Sequence, residues 1–227
     1  MSREQTGAMQ ITHLGHSCVL IEAADTRLLI DPGNVSQAWH QVTGVDAVLI
    51  THKHADHADP ANLPGYLEAN PGTQVYVEDA VRSAVQLPDR TRTLAAGDEF
   101  DIKGLHVRGV GGKHAIIHAD LPRDTNVGVV ISAPGEPAVF HPGDELDTAP
   151  EGIDIVCIPA MGPWSATKET IDFVRAVGAP RGFLIHEGLL NPMGYGLISA
   201  QLSMLTPTQI VDVRDTRPWE VSVGQAS

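Results

Sequence analysis

The stretch VDAVLITHKHADH, residues 45 to 57, limits the fold more than any other part of the chain. Its first half is a compact apolar run without alternation, the pattern of a strand covered on both faces. Such a strand needs a packed layer on each side. The second half sets His52, His54, Asp56 and His57 directly behind the strand's end. Residues two apart on an extended chain point to the same side, so His52 and His54 can converge on one point. Asp56 and His57 come after the chain has begun to turn, and aim at a second point nearby. Imidazoles backed by a carboxylate suit Zn, Mn, Fe and related ions. One short loop can therefore serve two metal ions.

The rest of the chain reads as strands interrupted by helices in two batches. MQITHLG, SCVLIEA and TRLLIDPG are short apolar runs closed by Gly or Asp-Pro-Gly turns. TQVYV, DEFDI, GLHVRGV, NVGVVIS, PAVFH, IDIVCIPA, RGFLIH, TQIVDV and WEVSV continue in the same style. Helices are expected over NLPGYLEA, EDAVRSAVQL, ISAQLSML and Thr167 to Val177. The last of these places Ile171, Val174 and Val177 on one stripe and stops at GAP. This order points to the α/β class, with two β-sheets face to face and helices outside: a four-layer αββα sandwich in a single domain over residues 1–227. The closing GQAS reads as a loose end.

With 227 residues the chain can build one large core, and with 4% aromatics that core must be Val, Ile, Leu and Ala. No apolar run approaches the roughly 20 residues that span a bilayer, and MSREQTGAMQ lacks a hydrophobic signal region. A cytoplasmic protein with no membrane partner is expected. The net charge of −13 disfavours nucleic acid as a partner, because phosphate backbones need a basic surface. It leaves room for a small anionic substrate, since a metal ion inverts the local field. Whether copies of the chain form a homo-oligomer stays open. Cys18 and Cys157 both lie in apolar runs and read as buried, reduced thiols.

Four ligands do not complete two coordination shells. Three further segments offer donors at the ends of apolar runs: VRGVGGKHAIIH with His114 and His118, AVFHPGDE with Asp144 beside His141, and GFLIHEG with His186. His114 and His118 would lie roughly 13 Å apart on a strand, so without a turn only one can serve a given ion. His114 is expected to be the ligand if the segment stays extended through Gly112, and His118 if the glycines turn it. Asp31 in IDPG is either an acceptor that orients a ligand histidine or a plain turn residue. His13 and His16 in THLGHSC belong to the site rim or are ordinary structural histidines; His40 and His106 read as surface or strand residues. No Gly-x-Ser-x-Gly elbow is present, which disfavours a serine nucleophile.

THKHADH, with the later PGD and the late IH, resembles the His-x-His-x-Asp-His signature of the metallo-β-lactamase fold superfamily. More narrowly, ITHLGHSCVLIE, RLLIDPG and FHPGDELD are similar to metal-dependent hydrolases related to ascorbate-6-phosphate lactonase. The resemblance runs from about Ile11 to His186. It implies that His52 and His54 hold a first ion with His114 or His118, that Asp56 and His57 hold a second with His186, and that Asp144 bridges the two. The ions would be Zn or Mn. The implied chemistry is hydrolysis of a small ester, lactone or phosphoester by a hydroxide held on the dinuclear centre, with Asp56 steering the nucleophile or passing a proton. Arg123 and Lys113 are candidates to grip an anionic substrate. Trp164, with Met161, is a candidate pocket wall, and Tyr195 a candidate cover on a mobile loop. Competing readings are a diiron redox protein of the same fold, a class that usually carries glutamate at the position of His54, and a metal-binding module without turnover.

Overall fold

A computed structural model describes residues 8–224. The expected loose end, GQAS, falls largely on residues 225–227 and so lies outside the described residues. The first strands are β1 (Met9–His13), β2 (Val19–Ala23), β3 (Thr26–Ile30), β4 (Ala47–Ile50), β5 (Gln74–Val77) and β6 (Arg92–Thr93). There follow β7 (Glu99–Ile102), β8 (Leu105–Gly111), β9 (Val127–Ser132), β10 (Val139–His141), β11 (Ile155–Pro159), β12 (Arg181–Ile185), β13 (Gln209–Ile210) and β14 (Trp219–Val221). They form two seven-stranded sheets, ordered β14-β1-β2-β3-β4-β5-β6 and β13-β12-β11-β10-β9-β8-β7. Each sheet is mixed: β3 through β6 run parallel, as do β10 through β13, beside antiparallel neighbours.

The period of two along each strand separates the layers. Leu28, Ile30, Ala47 and Leu49 face the core between the sheets, where they meet Val107, Val129, Ile155, Cys157 and Phe183 of the opposite sheet. Leu29, Val48 and Ile50 face outward and are covered by Trp39, Leu63 and Leu67. Leu63 and Leu67 belong to helix α1 (Leu63–Ala69). On the other outer face, Val156, Ile158 and Leu184 are covered by α2 (Thr167–Val177) and α3 (Pro192–Leu205). The result is the four-layer αββα sandwich. Full burial of each Leu or Ile contributes about 2 kcal/mol, and this apolar frame anchors the strand ends that carry the polar site.

α1 and α2 coincide with their sequence expectations; α2 buries Ile171, Val174 and Val177 and ends on Gly178 in the left-handed conformation. Two helical expectations are corrected. EDAVRSAVQL makes only a short 3-10 turn, Asp79–Ser83, opened by the Glu78 carboxylate on the Ala80 amide. Val81 and Val85 are the buried apolar residues of that stretch, so little holds a longer helix. ISAQLSML is the second half of a longer helix that begins at Pro192, with Asn191 capping the Gly194 amide.

Candidate metal centre

The chain turns off β4 at Thr51, which is fixed before the histidines begin. The Asp31 carboxylate accepts from the Thr51 amide at 2.8 Å and from its hydroxyl at 2.7 Å. Asp31 also accepts from His57 Nδ1 at 2.7 Å. Of the two readings left open for Asp31, the structure selects the orienting one, with the residue itself held at φ +50°. Fully buried carboxylates persist where donors surround them, and here the donors are the backbone and side chains of the histidine loop.

Two groups of four side chains converge, with one donor atom from each lying within 4.8 Å of the others in its group. One group is His52, His54, His114 and Asp144; the other is His16, Asp56, His57 and His186. They adjoin at Asp144. Its Oδ2 lies 3.3 Å from His114 Nε2, 3.3 Å from His186 Nε2 and 3.7 Å from His52 Nε2, and its Oδ1 lies 3.1 Å from His57 Nε2. Asp56 Oδ2 lies 3.3 Å from His186 Nε2.

Five of these histidines share one wiring. The nitrogen that faces away from the centre meets an acceptor: Thr51 Oγ1 for His52, Asp124 for His54, Asp31 for His57, the Ala115 carbonyl for His114 and the Met161 carbonyl for His186. Each outward nitrogen therefore donates, and each inward nitrogen keeps a lone pair. The inward lone pairs face each other and a carboxylate: His52 Nε2 and His54 Nδ1 are 3.1 Å apart. Asp144 Oδ1 and His186 Nε2 are buried with no hydrogen-bond partner. Converging acceptors of this kind are relieved only by protons or a cation, so the residues fit divalent ions.

Without a cation the centre holds protons instead. Burial disfavours charge on His57, yet Asp144 and Asp31 outweigh it and raise its pKa well above the ordinary range. His186 likewise rises to about 9, with Asp144 and Asp56 overcoming burial. Burial also opposes the carboxylate of Asp144, but His57, His114 and His186 hold its pKa well below the usual value. Asp56 is held low in the same way by His16 and His186. Burial, together with His57, keeps His52 well below 6.5, and burial with His114 lowers His54.

The model of the beta-lactamase superfamily domain matches residues 10–181. The chain belongs to that family. It is 40% identical over 201 residues to protein Rv0786c of Mycobacterium tuberculosis, covering 88% of this chain and 94% of that one. It is 32% identical to a UPF0173 metal-dependent hydrolase of Xanthobacter autotrophicus, over 60% of this chain and 62% of that protein's length. The fold is similar to that of the metallo-beta-lactamase fold protein YhfI from Bacillus subtilis, with a TM-score of 0.71 at 17% identity over 95% of this chain and all of that one.

Within this superfamily domain, several sequence expectations change. His118 is exposed and turned toward Asp120, whereas His114 is buried in the first group. The expected reason was wrong: Gly111 and Gly112, at φ +83° and +132°, do turn the chain. That turn delivers His114 rather than His118, because the Ala115 amide then donates to the Asp144 carbonyl at 2.7 Å. Arg123 donates from Nε to the His114 carbonyl and from Nη2 to Asp147, so part of its guanidinium holds the His114 loop. Tyr195 sits buried in the first turn of α3, its hydroxyl toward Asp212 and its ring under Arg214, not over the site. Trp164 does stand beside the centre, 5.8 Å from the His114 ring and 5.6 Å from that of His186. Met161 contributes its carbonyl to His186.

Two site members have little or no signal in the sequence. His16, buried at φ +52°, lies in the second group with Nε2 3.0 Å from Asp56. Its only sequence signal is a histidine behind a glycine at a strand end. Asp124, which orients His54 and pairs with Lys53, has no local signal at all.

Proposed function

We propose that the chain is a metal-dependent hydrolase whose two side-chain groups each hold a divalent ion, zinc or manganese. His52, His54 and His114 would hold the first, Asp56, His57 and His186 the second, with Asp144 shared. The observation that carries this reading is the position of Asp144, one buried carboxylate whose two oxygens reach His57 on one side and His114 and His186 on the other. When bound, a pair of ions of this kind lowers the pKa of a water and offsets the charge that develops on an attacked carbonyl or phosphoryl oxygen.

The chain's own residues do the rest. Asp31, Thr51, Asp124 and the carbonyls of Ala115 and Met161 fix five imidazoles in one tautomer each. Asp56, with 27% of its side chain exposed, is the carboxylate open to the solvent side and would take or return the proton of the leaving group. Trp164 would exclude water along the His114–His186 flank. The substrate class is a small ester, lactone or phosphoester, and the likeness of ITHLGHSCVLIE and FHPGDELD to hydrolases related to ascorbate-6-phosphate lactonase puts lactones and sugar phosphates first.

The test is metal analysis of protein purified without added metal, followed by rates on lactones, phosphodiesters and chromogenic esters before and after chelation. Two ions per chain and a rate that is lost on chelation and restored by metal are expected. Fewer than two ions at saturation, or no hydrolysis across the panel, would overturn the reading. Iron with reversible redox spectra would favour the oxidative branch of the fold.

A further inference from the structure

His16 lies among the second group's donors, but its wiring is the reverse of the other five. Its outward nitrogen, Nδ1, meets a donor: the Gly188 backbone N–H at 3.3 Å. A neutral imidazole has one lone pair and one N–H. With the lone pair of Nδ1 engaged by Gly188, the proton sits on Nε2, which points at Asp56 Oδ2 from 3.0 Å. We propose that His16 is not a ligand of the second ion but a positioning residue, whose Nε2–H donates to Asp56 and fixes the orientation of that carboxylate. The inference rests on the hydrolase reading above for the identity of Asp56 as a ligand.

The surroundings are built for this tautomer. A Cβ on residue 188 would come within 2.9 Å of His16 Nδ1 and 2.6 Å of Val35 Cγ1, so only glycine lets the backbone amide approach the ring. The backbone of His16 is tied to the same segment: its amide donates to Glu187 Oε1 at 3.0 Å, and its carbonyl accepts from the His186 amide at 3.0 Å. The ring packs against that of His186, with centroids 4.1 Å apart and the planes tilted by 47°. His13 Nε2, 2.8 Å from the His16 carbonyl, closes the clamp. Taking His16 out of the ligand set leaves the second ion with Asp56, His57, His186 and the shared Asp144.

The experiment uses the full chain labelled with 15N-histidine, and zinc alone as the probe. Two-bond 15N–1H correlation spectra report which ring nitrogen carries the proton, with His16 assigned by its loss in His16→Gln. The expected result is a protonated Nε2 both without zinc and at saturating zinc. An unprotonated, zinc-shifted Nε2 would overturn the proposal. In parallel, His16→Gln, whose amide can still donate to Asp56, should keep two zinc ions per chain and a KM near wild type, with a lower kcat; His186→Ala should lose one ion. Loss of one ion by His16→Gln would also overturn it. If that variant fails to fold, a crystal structure of the zinc-loaded wild type decides between the two roles: a zinc–Nε2 distance near 2 Å at His16 defeats the proposal, and a retained Gly188 contact supports it. A chain that takes up no zinc defeats the zinc form of the hydrolase reading, while the zinc-free spectrum still decides the tautomer.

Discussion

Replacing Asp144 by Asn should change the pH dependence of stability of the metal-free protein, and the size of the effect follows from its contacts. In the absence of metal, Asp144 is the carboxylate that His57 and His186 share. His186 is raised from 6.5 to about 9, with Asp144 the largest influence acting against burial. Moving one imidazole that far corresponds to roughly 3 kcal/mol of stability. The sign follows from linkage. A raised pKa means the folded state holds the proton more tightly than the unfolded state, so this stability is fully present below pH 6.5. It is lost as pH rises toward 9. His186 should therefore contribute a loss of about 2–3 kcal/mol between pH 6 and pH 9, read as falling urea midpoints after chelation. The raised His57 adds to it, and the lowered His52 and His54 each give back up to about 1 kcal/mol. Asp144→Asn removes the charge but keeps the shape; it should be less stable at pH 6, and its decline with pH should shrink to less than half. Zinc should reverse the wild-type slope, since binding displaces the protons of His57 and His186. A metal-free wild type with flat stability from pH 6 to pH 9, or an Asp144→Asn variant with an unchanged slope, would refute the reasoning.

His114→Ala should cost one bound ion per chain by metal analysis, whereas His118→Ala should keep full metal content and a rate within about twofold, because His118 is an exposed side chain. Asp31→Ala should lower stability by about 3 kcal/mol in denaturant titrations, since it strands the Thr51 amide and His57 Nδ1 without their buried acceptor. Tyr195→Phe should leave kcat and KM unchanged on any substrate the chain turns over, because the hydroxyl faces Asp212 rather than the centre.

The features legible in the sequence are those encoded over a few residues. THKHADH announces itself because i and i+2 share a side on an extended chain, and the short apolar runs announce two sheets. Asp31 is visible as a candidate, but whether it turns the chain or orients a ligand depends on where Thr51 and His57 lie, which no local pattern states. The pair His114 and His118 is equally visible, yet strand geometry ties the choice to the wrong condition, since a glycine pair can turn the chain toward a site as easily as past it. His16 is visible as a rim or structural histidine, but the choice between those readings depends on contact with residues 186–188, an association made by folding alone. Asp124 stays hidden for the same reason. In EDAVRSAVQL the helical composition loses to tertiary context, with two valines buried and Pro88 close behind.

The most direct test is anomalous diffraction from crystals of the zinc-loaded chain. Two peaks are predicted about 3.5–4 Å apart, one among His52, His54, His114 and Asp144, the other among Asp56, His57, His186 and Asp144. A single peak, or zinc bound away from Asp144, would contradict the dinuclear account.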